Sequence, residues 1–97
     1  MRDSAIKLGE YVGNKLIEAS KTNSIQKQER FLYPASLILT KFGKSLKRIP
    51  DELERSFIMR DVNVGVNLAV ATSDYKGSKV RVLYQKLLHI LDLEEKD

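Results

Sequence analysis

The chain has 97 residues, of which 42% are hydrophobic, so its length suits one small domain with a modest core. It contains no cysteine, which excludes disulfide bonds and thiolate metal sites. The net charge of +4 hides an asymmetry, because residues 1–91 alone carry +7 and residues 92–97 carry −3. We therefore expect a single domain over residues 1–97, with a strongly basic body and a short acidic tail at 92–97.

The apolar runs are only a few residues long, so the sequence predicts no membrane-spanning segment. The N-terminus leads directly into a helical pattern that contains acids, which is not typical of a signal peptide. We expect a soluble, cytoplasmic protein with no membrane partner.

The first predicted helix covers residues 3–21. Its apolar residues follow helical spacing: Ala5, Leu8, Val12, Leu16 and Ala19. Gly9 and Gly13 lie four residues apart beside this stripe, although glycine costs about 1 kcal/mol relative to alanine in a helix interior. The pair indicates that another backbone approaches closely, and we favour tight packing inside the protein over an interface between molecules.

Two helices are predicted between the polar break at residues 21–24 and Pro50. Ser24 is placed to cap a short helix from Ile25 to about Leu32. A boundary follows at Tyr33-Pro34, because the residue before a proline is driven away from the α conformation. The next helix covers residues 34–48. A further helix is predicted to begin with Pro50 as its first residue and to continue through Met59.

The stretch from Asp61 to Ser73 carries two conflicting patterns. Its valines and leucine alternate as in a β-strand, yet Val62, Val66, Ala69 and Val70 also form a helical stripe. No other segment alternates, and an isolated strand is unstable, so we predict a helix. Strand exchange between two copies of the chain is the alternative.

The last helix is predicted from Lys79 to about Leu91, after a loop at 73–78 and a cap at Ser78. The fold class is therefore all-α, a compact bundle of four to five short helices in one domain.

Four cations between residues 41 and 48 are the best clue to function. They are Lys41, Lys44, Lys47 and Arg48, with no acid among them, and we call them the basic strip. On a helix they occupy about 120° of arc, opposite the apolar side. Such a surface indicates binding to a polyanion, above all to nucleic acid. The simpler interpretation is a solvated face that keeps the protein soluble.

A second cationic group surrounds the loop before the last helix. It consists of Lys76, Lys79, Arg81 and Lys86. Tyr33, Tyr75 and Tyr84 are candidates for stacking on bases, and Tyr75 is the best placed because its loop is basic. The residues that would read bases are few, so we expect contacts to the sugar-phosphate backbone.

Catalytic and cofactor signals are weak, so we predict that the protein is not an enzyme and has no cofactor. His89 is the only histidine, and one histidine without cysteine makes a zinc site improbable. No catalytic triad or phosphate-binding glycine pattern is found. We interpret Glu52 and Glu54 as matches to the helix dipole rather than as paired catalytic carboxylates.

The opening segment resembles a known family. Residues 5–13, Ala-Ile-Lys-Leu-Gly-Glu-Tyr-Val-Gly, are similar to the start of the small subunits of type I CRISPR effector complexes (Cascade), and to the C-terminal helical region of their large subunits. The resemblance extends over roughly residues 4–91, as a Leu-Gly helix, a polar break and basic short helices.

This resemblance implies a non-catalytic subunit present in repeated copies, in contact with one another and with other subunits. It implies that the protein stabilises the guide–target duplex and lines a basic path for displaced single-stranded DNA. The basic strip would be part of that path. Two alternatives remain open: a small DNA-binding transcriptional regulator, viral or plasmid-borne, and a protein-interaction module or inhibitor that does not touch nucleic acid.

Overall fold

The computed structural model describes residues 2–75 and 77–93, and this part of the chain forms four α-helices and no strand. They are α1 (Arg2–Ser20), α2 (Ile25–Lys47), α3 (Glu52–Thr72) and α4 (Lys79–Ile90). The prediction of an all-α helical bundle is confirmed. No helix among the described residues is both long and apolar enough to span a membrane.

Helix α1 is the centre of the bundle, because α2, α3 and α4 all pack against it. Its buried side chains include Val12 and Leu16, which are completely shielded from solvent. Leu39 of α2 and Val62 of α3 are equally buried. The core is therefore built around α1, and each other helix presents its opposite face to solvent.

The paired glycines of α1 serve this packing. Gly9 and Gly13 are buried against α3, where a Cβ at Gly13 would lie 2.7 Å from the Cβ of Ala69. A Cβ added to Gly65 of α3 would likewise lie too close to backbone atoms of α1, among them the nitrogen of Glu10 at 2.8 Å. The expected close approach of a second backbone is confirmed, and it occurs inside the bundle.

The predicted boundary at Tyr33-Pro34 is wrong, because α2 continues through Pro34 without interruption. Leu32 packs against the core before the proline, and Ala35 and Leu39 pack against it afterwards. Burial of one continuous face outweighs the local preference against helix at this position. The predicted cap at Ser24 is confirmed, since its side chain accepts a hydrogen bond from the backbone N–H of Lys27.

The segments predicted to begin at Pro50 and Asp61 form one helix, α3. Its cap is Asp51, which accepts hydrogen bonds from the backbone N–H groups of Leu53 and Glu54, so Pro50 precedes the helix and is not its first residue. Val62 and Val66 are buried, which confirms the helical interpretation of this stretch. A strand exchanged between copies is not compatible with α3.

The C-terminal helix also differs in detail from the prediction. Ser78 makes no side-chain capping hydrogen bond to α4. At the other end, Asp92 adopts a left-handed conformation (φ 57°), and the N–H of Leu93 donates to the carbonyl of Leu88 at 2.8 Å. Leu93 is buried in the core, so the first part of the predicted acidic tail is integral to the fold. Residues 94–97 lie outside the described residues.

Candidate nucleic-acid interface

The basic strip lies on the outer face of α2. Helix α2 buries Ala35, Leu39, Gly43 and Leu46 on its inner face. Lys41, Lys44, Lys47 and Arg48 are all exposed, as predicted from helical spacing. The amphipathic character of α2 therefore positions the strip, because the same helix that anchors to the core presents the cations to solvent.

The strip is not neutralised within the described part of the protein. None of its four cations forms an ion pair or a side-chain hydrogen bond with another described residue, whereas Lys21 pairs with Asp74 at 3.3 Å. Exposed cations on one face, without acids between them, create a local positive potential that attracts a polyanion.

The continuity of α2 extends this face beyond the predicted strip. At about 100° per residue, the side chains of Arg30, Tyr33 and Leu37 leave the helix within the arc of the strip. All three are exposed, Tyr33 with 61% of its surface. The face from Arg30 to Arg48 is about 27 Å long at the usual rise per residue. Its charge is concentrated in the C-terminal half, because Glu29 flanks Arg30.

Sequence reasoning missed this extension because it placed a helix boundary at Pro34. The helical spacing of Arg30, Tyr33, Leu37 and Lys41 was the available signal, at intervals of three, four and four residues. Tyr33 thereby replaces Tyr75 as the aromatic residue best placed for stacking. Tyr75 is partly buried against the core, and Tyr84 is buried.

The three described members of the second cationic group, Lys79, Arg81 and Lys86, do not all lie on one surface. Lys76 lies outside the described residues. Lys79 is half-buried, and its Nζ donates to the carbonyl of Thr22 at 3.4 Å, which ties α4 to the α1–α2 loop. Arg81 and Lys86 are exposed, but Arg81 leaves α4 about 140° away from Lys86. Lys79 and Lys86 share one side of α4, and Arg81 faces the cleft between α3 and α4.

The described residues hold no group of three or more acidic or histidine side chains close enough to bind a metal ion. His89 lies near the end of α4 and is exposed. Glu52 and Glu54 occupy the first turn of α3, where carboxylates favour the positive end of the helix dipole.

No family model, no curated protein and no solved structure matches the chain.

Proposed function

We propose that the protein is a non-catalytic nucleic-acid-binding subunit that contacts the sugar-phosphate backbone through the outer face of α2. The observation that supports this proposal is the basic strip: four exposed cations, without ion pairs to other described residues, on a helix whose other face anchors it to the core. Each phosphate that such a cation neutralises releases condensed counterions, which supplies affinity without reading sequence.

Tyr33 adds a second kind of contact to the proposed interface. Its ring is exposed and leaves α2 about 20° from the direction of Lys44, so a strand following the cations passes over an aromatic surface. An unpaired base stacks on such a ring, whereas a base inside a duplex is already stacked. The interface therefore favours a single strand, with duplex backbone as the weaker ligand.

The resemblance of residues 5–13 leads us to propose a place for this interface, in a type I CRISPR effector complex. There the strip would lie along the displaced DNA strand or the guide–target duplex. Gly9 and Gly13, which belong to the resembling segment, are engaged in internal packing. Contacts with neighbouring subunits must therefore come from another surface.

A specific observation also favours a second candidate function, that of a protein-interaction module. Helix α3 exposes a stripe of large apolar side chains: Leu53, Phe57, Val64 and Leu68. These residues recur at helical spacing on one face, as in helices that dock against a partner. A complex subunit would use this stripe and the basic strip together, whereas an interaction module would use the stripe alone.

Charge reversal tests the proposed function and separates the two candidates. Lys44→Glu with Lys47→Glu should leave the helical content unchanged because both side chains are exposed. The variant should bind single strands and duplexes of every sequence more weakly, since phosphate contacts carry no base information. Unchanged binding in the folded variant would contradict the proposal. A wild-type protein that binds no nucleic acid even at low salt would favour the interaction module.

Membership of an effector complex needs a separate measurement. The tagged protein, purified from its native host, should elute as part of a large particle that contains guide RNA. The charge-reversed variant should still enter that particle but reduce its retention of target DNA. Elution as a free protein, with no associated RNA, would contradict the proposed assembly but not nucleic-acid binding by α2.

A further inference from the structure

A cleft of about 500 Å³ lies between α3 and α4. Both helices pack against α1, and the cleft remains open where they face each other. Its floor consists of buried valine, leucine and methionine side chains. Its volume falls in the range of small-molecule sites, which combine an apolar surface with a few polar groups.

Three of the six polar side chains that line this cleft, among the described residues, are carboxamides. Asn63 and Asn67 follow each other by one turn of α3, and Gln85 lies opposite on α4. A carboxamide offers a donor and an acceptor side by side, which is the pattern along the edge of a nucleobase. Asn67 and Gln85 are exposed and form no hydrogen bond with another described residue.

The buried Tyr84 fixes the orientation of the carboxamide of Asn63. The hydroxyl of Tyr84 donates a hydrogen bond to Oδ1 of Asn63. A tyrosine hydroxyl is protonated at neutral pH and can donate, and burial raises the pKa of Tyr84 still further above its usual value. Tyr84 therefore engages one lone pair of the Asn63 oxygen and orients the amide, so that its NH₂ group can donate to a ligand.

The charge of the cleft selects an anion. Among the described residues that line it, Arg81 is the only charged one, and none is an Asp or a Glu. Arg81 forms no ion pair with another described residue. A guanidinium group binds phosphate with two parallel hydrogen bonds. A simple anion would use Arg81 alone and would leave the apolar floor and the carboxamides without partners.

We propose that the α3–α4 cleft binds a nucleotide, with the base on the apolar floor, its edge at Asn67 and Gln85, and the phosphate at Arg81. The site lies on different helices from the basic strip and does not depend on it. The nucleotide has two potential sources, a free mononucleotide or one nucleotide of a bound strand, and both present the same base and phosphate.

The test is a titration followed by NMR of the side-chain amides, with adenosine monophosphate, adenosine and inorganic phosphate as probes. Adenosine monophosphate should shift the signals of Asn63, Asn67 and Gln85 with a saturable curve. Arg81→Gln should weaken this binding about tenfold, the loss expected for one charged hydrogen-bonded contact. Arg81→Gln should change the affinity for adenosine, which has no phosphate, only slightly. Lys86→Gln, which removes a charge from α4 outside the cleft, should bind both like the wild type.

Three results would overturn the proposal. The amide signals would not move up to about 10 mM nucleotide; inorganic phosphate alone would reproduce the shifts of the nucleotide; or Arg81→Gln and Lys86→Gln would weaken binding equally. A single-stranded oligoadenylate identifies the source. If a strand supplies the nucleotide, Lys44→Ala with Lys47→Ala will reduce the shifts caused by the oligonucleotide but not those caused by the mononucleotide. If the oligonucleotide causes no shift and the mononucleotide does, the ligand is a free nucleotide.

Discussion

Gly9 and Gly65 face each other where α1 crosses α3, so closely that a Cβ added to Gly9 would lie 2.9 Å from the Cα of Gly65. The carbonyl oxygen of Val62 would be closer still. Backbone atoms of a packed helix cannot move aside as a flexible side chain can. This crossing therefore sets the distance between the two helices that make the most extensive contact in the bundle.

Substitution of either glycine at the crossing should destabilise the fold. Gly9→Ala and Gly65→Ala each force the helices apart, and overpacking of this kind costs about 1–3 kcal/mol. Gly43→Ala is the matched control, because its Cβ would meet only the end of the Leu93 side chain, at 3.0 Å. Urea denaturation should show a large loss for the first two variants and little change for the third. Equal effects at all three positions would contradict the close crossing.

The glycines show which features of this fold could be predicted from the sequence. Their spacing beside an apolar stripe predicted a close backbone approach, and it predicted it correctly, because only a small residue is tolerated there. The spacing did not identify α3 as the partner, since that depends on the path of the whole chain. The boundary at Pro34 was mispredicted for a similar reason: the local preference was right, but the burial of Leu32 and Leu39 on one face overrides it.

The continuity of α2 predicts a gain in stability on removing Pro34. Proline lacks an N–H, so the carbonyl of Arg30 loses its partner in the helix. Pro34→Ala restores that hydrogen bond and should raise the free energy of unfolding by about 1–3 kcal/mol. Chemical shifts of residues 31–37 should be helical in both proteins. Non-helical shifts there, together with a loss of stability in the variant, would mean that the chain breaks at Pro34.

Burial of Tyr84 predicts a specific loss of stability at alkaline pH. Its pKa is raised in the folded protein, so above the usual value of about 10 the unfolded chain releases a proton that the folded chain retains. Stability is therefore complete below about pH 10 and falls as the pH rises further, by about 1.4 kcal/mol per unit for this group. The wild type should lose about 1 kcal/mol more than Tyr84→Phe between about pH 10 and pH 11, because the full slope is reached only above the pKa of the unfolded chain.

Denaturant titrations at a series of pH values measure that difference. The phenylalanine variant keeps the ring in place and removes only the hydroxyl, so the alkaline loss that both proteins share cancels. Parallel pH profiles for the two proteins would show that Tyr84 ionises as easily in the folded state as in the unfolded state.

The exposed ring of Tyr33 should contribute to binding of single strands. Tyr33→Ala should weaken that binding by about 1–3 kcal/mol, the usual value for one base stacked on an aromatic ring. Tyr33→Phe should bind like the wild type, because the face of the ring and not the hydroxyl makes the contact. Fluorescence anisotropy with a labelled oligonucleotide measures both. Thermal stability should not change in either variant, since Tyr33 is exposed. Equal affinities for wild type and Tyr33→Ala would exclude stacking at this position.

Part of the candidate interface could be predicted from the sequence. Lys41 to Arg48 lie within two turns of one helix, so their common face follows from helical geometry alone. Lys79 and Arg81 are also close in sequence, but they leave α4 on different sides, and Lys79 is engaged with the carbonyl of Thr22. Proximity along the chain thus predicts a shared surface only where the helical spacing is also correct.

The salt dependence of binding tests the central claim, that the basic strip contacts phosphates, most directly. Lys44→Ala with Lys47→Ala should reduce the slope of log affinity against log salt concentration by about two on duplex DNA, and by somewhat less on single strands. Lys7→Ala with Arg60→Ala removes two exposed charges from α1 and α3 and serves as the matched control. If the protein belongs to a complex, the slopes are measured in the assembled particle. We predict a reduced slope for the strip variant and the wild-type slope for the control. A wild-type slope in the folded strip variant would mean that the four cations form a solvated face of α2 and do not contact phosphates.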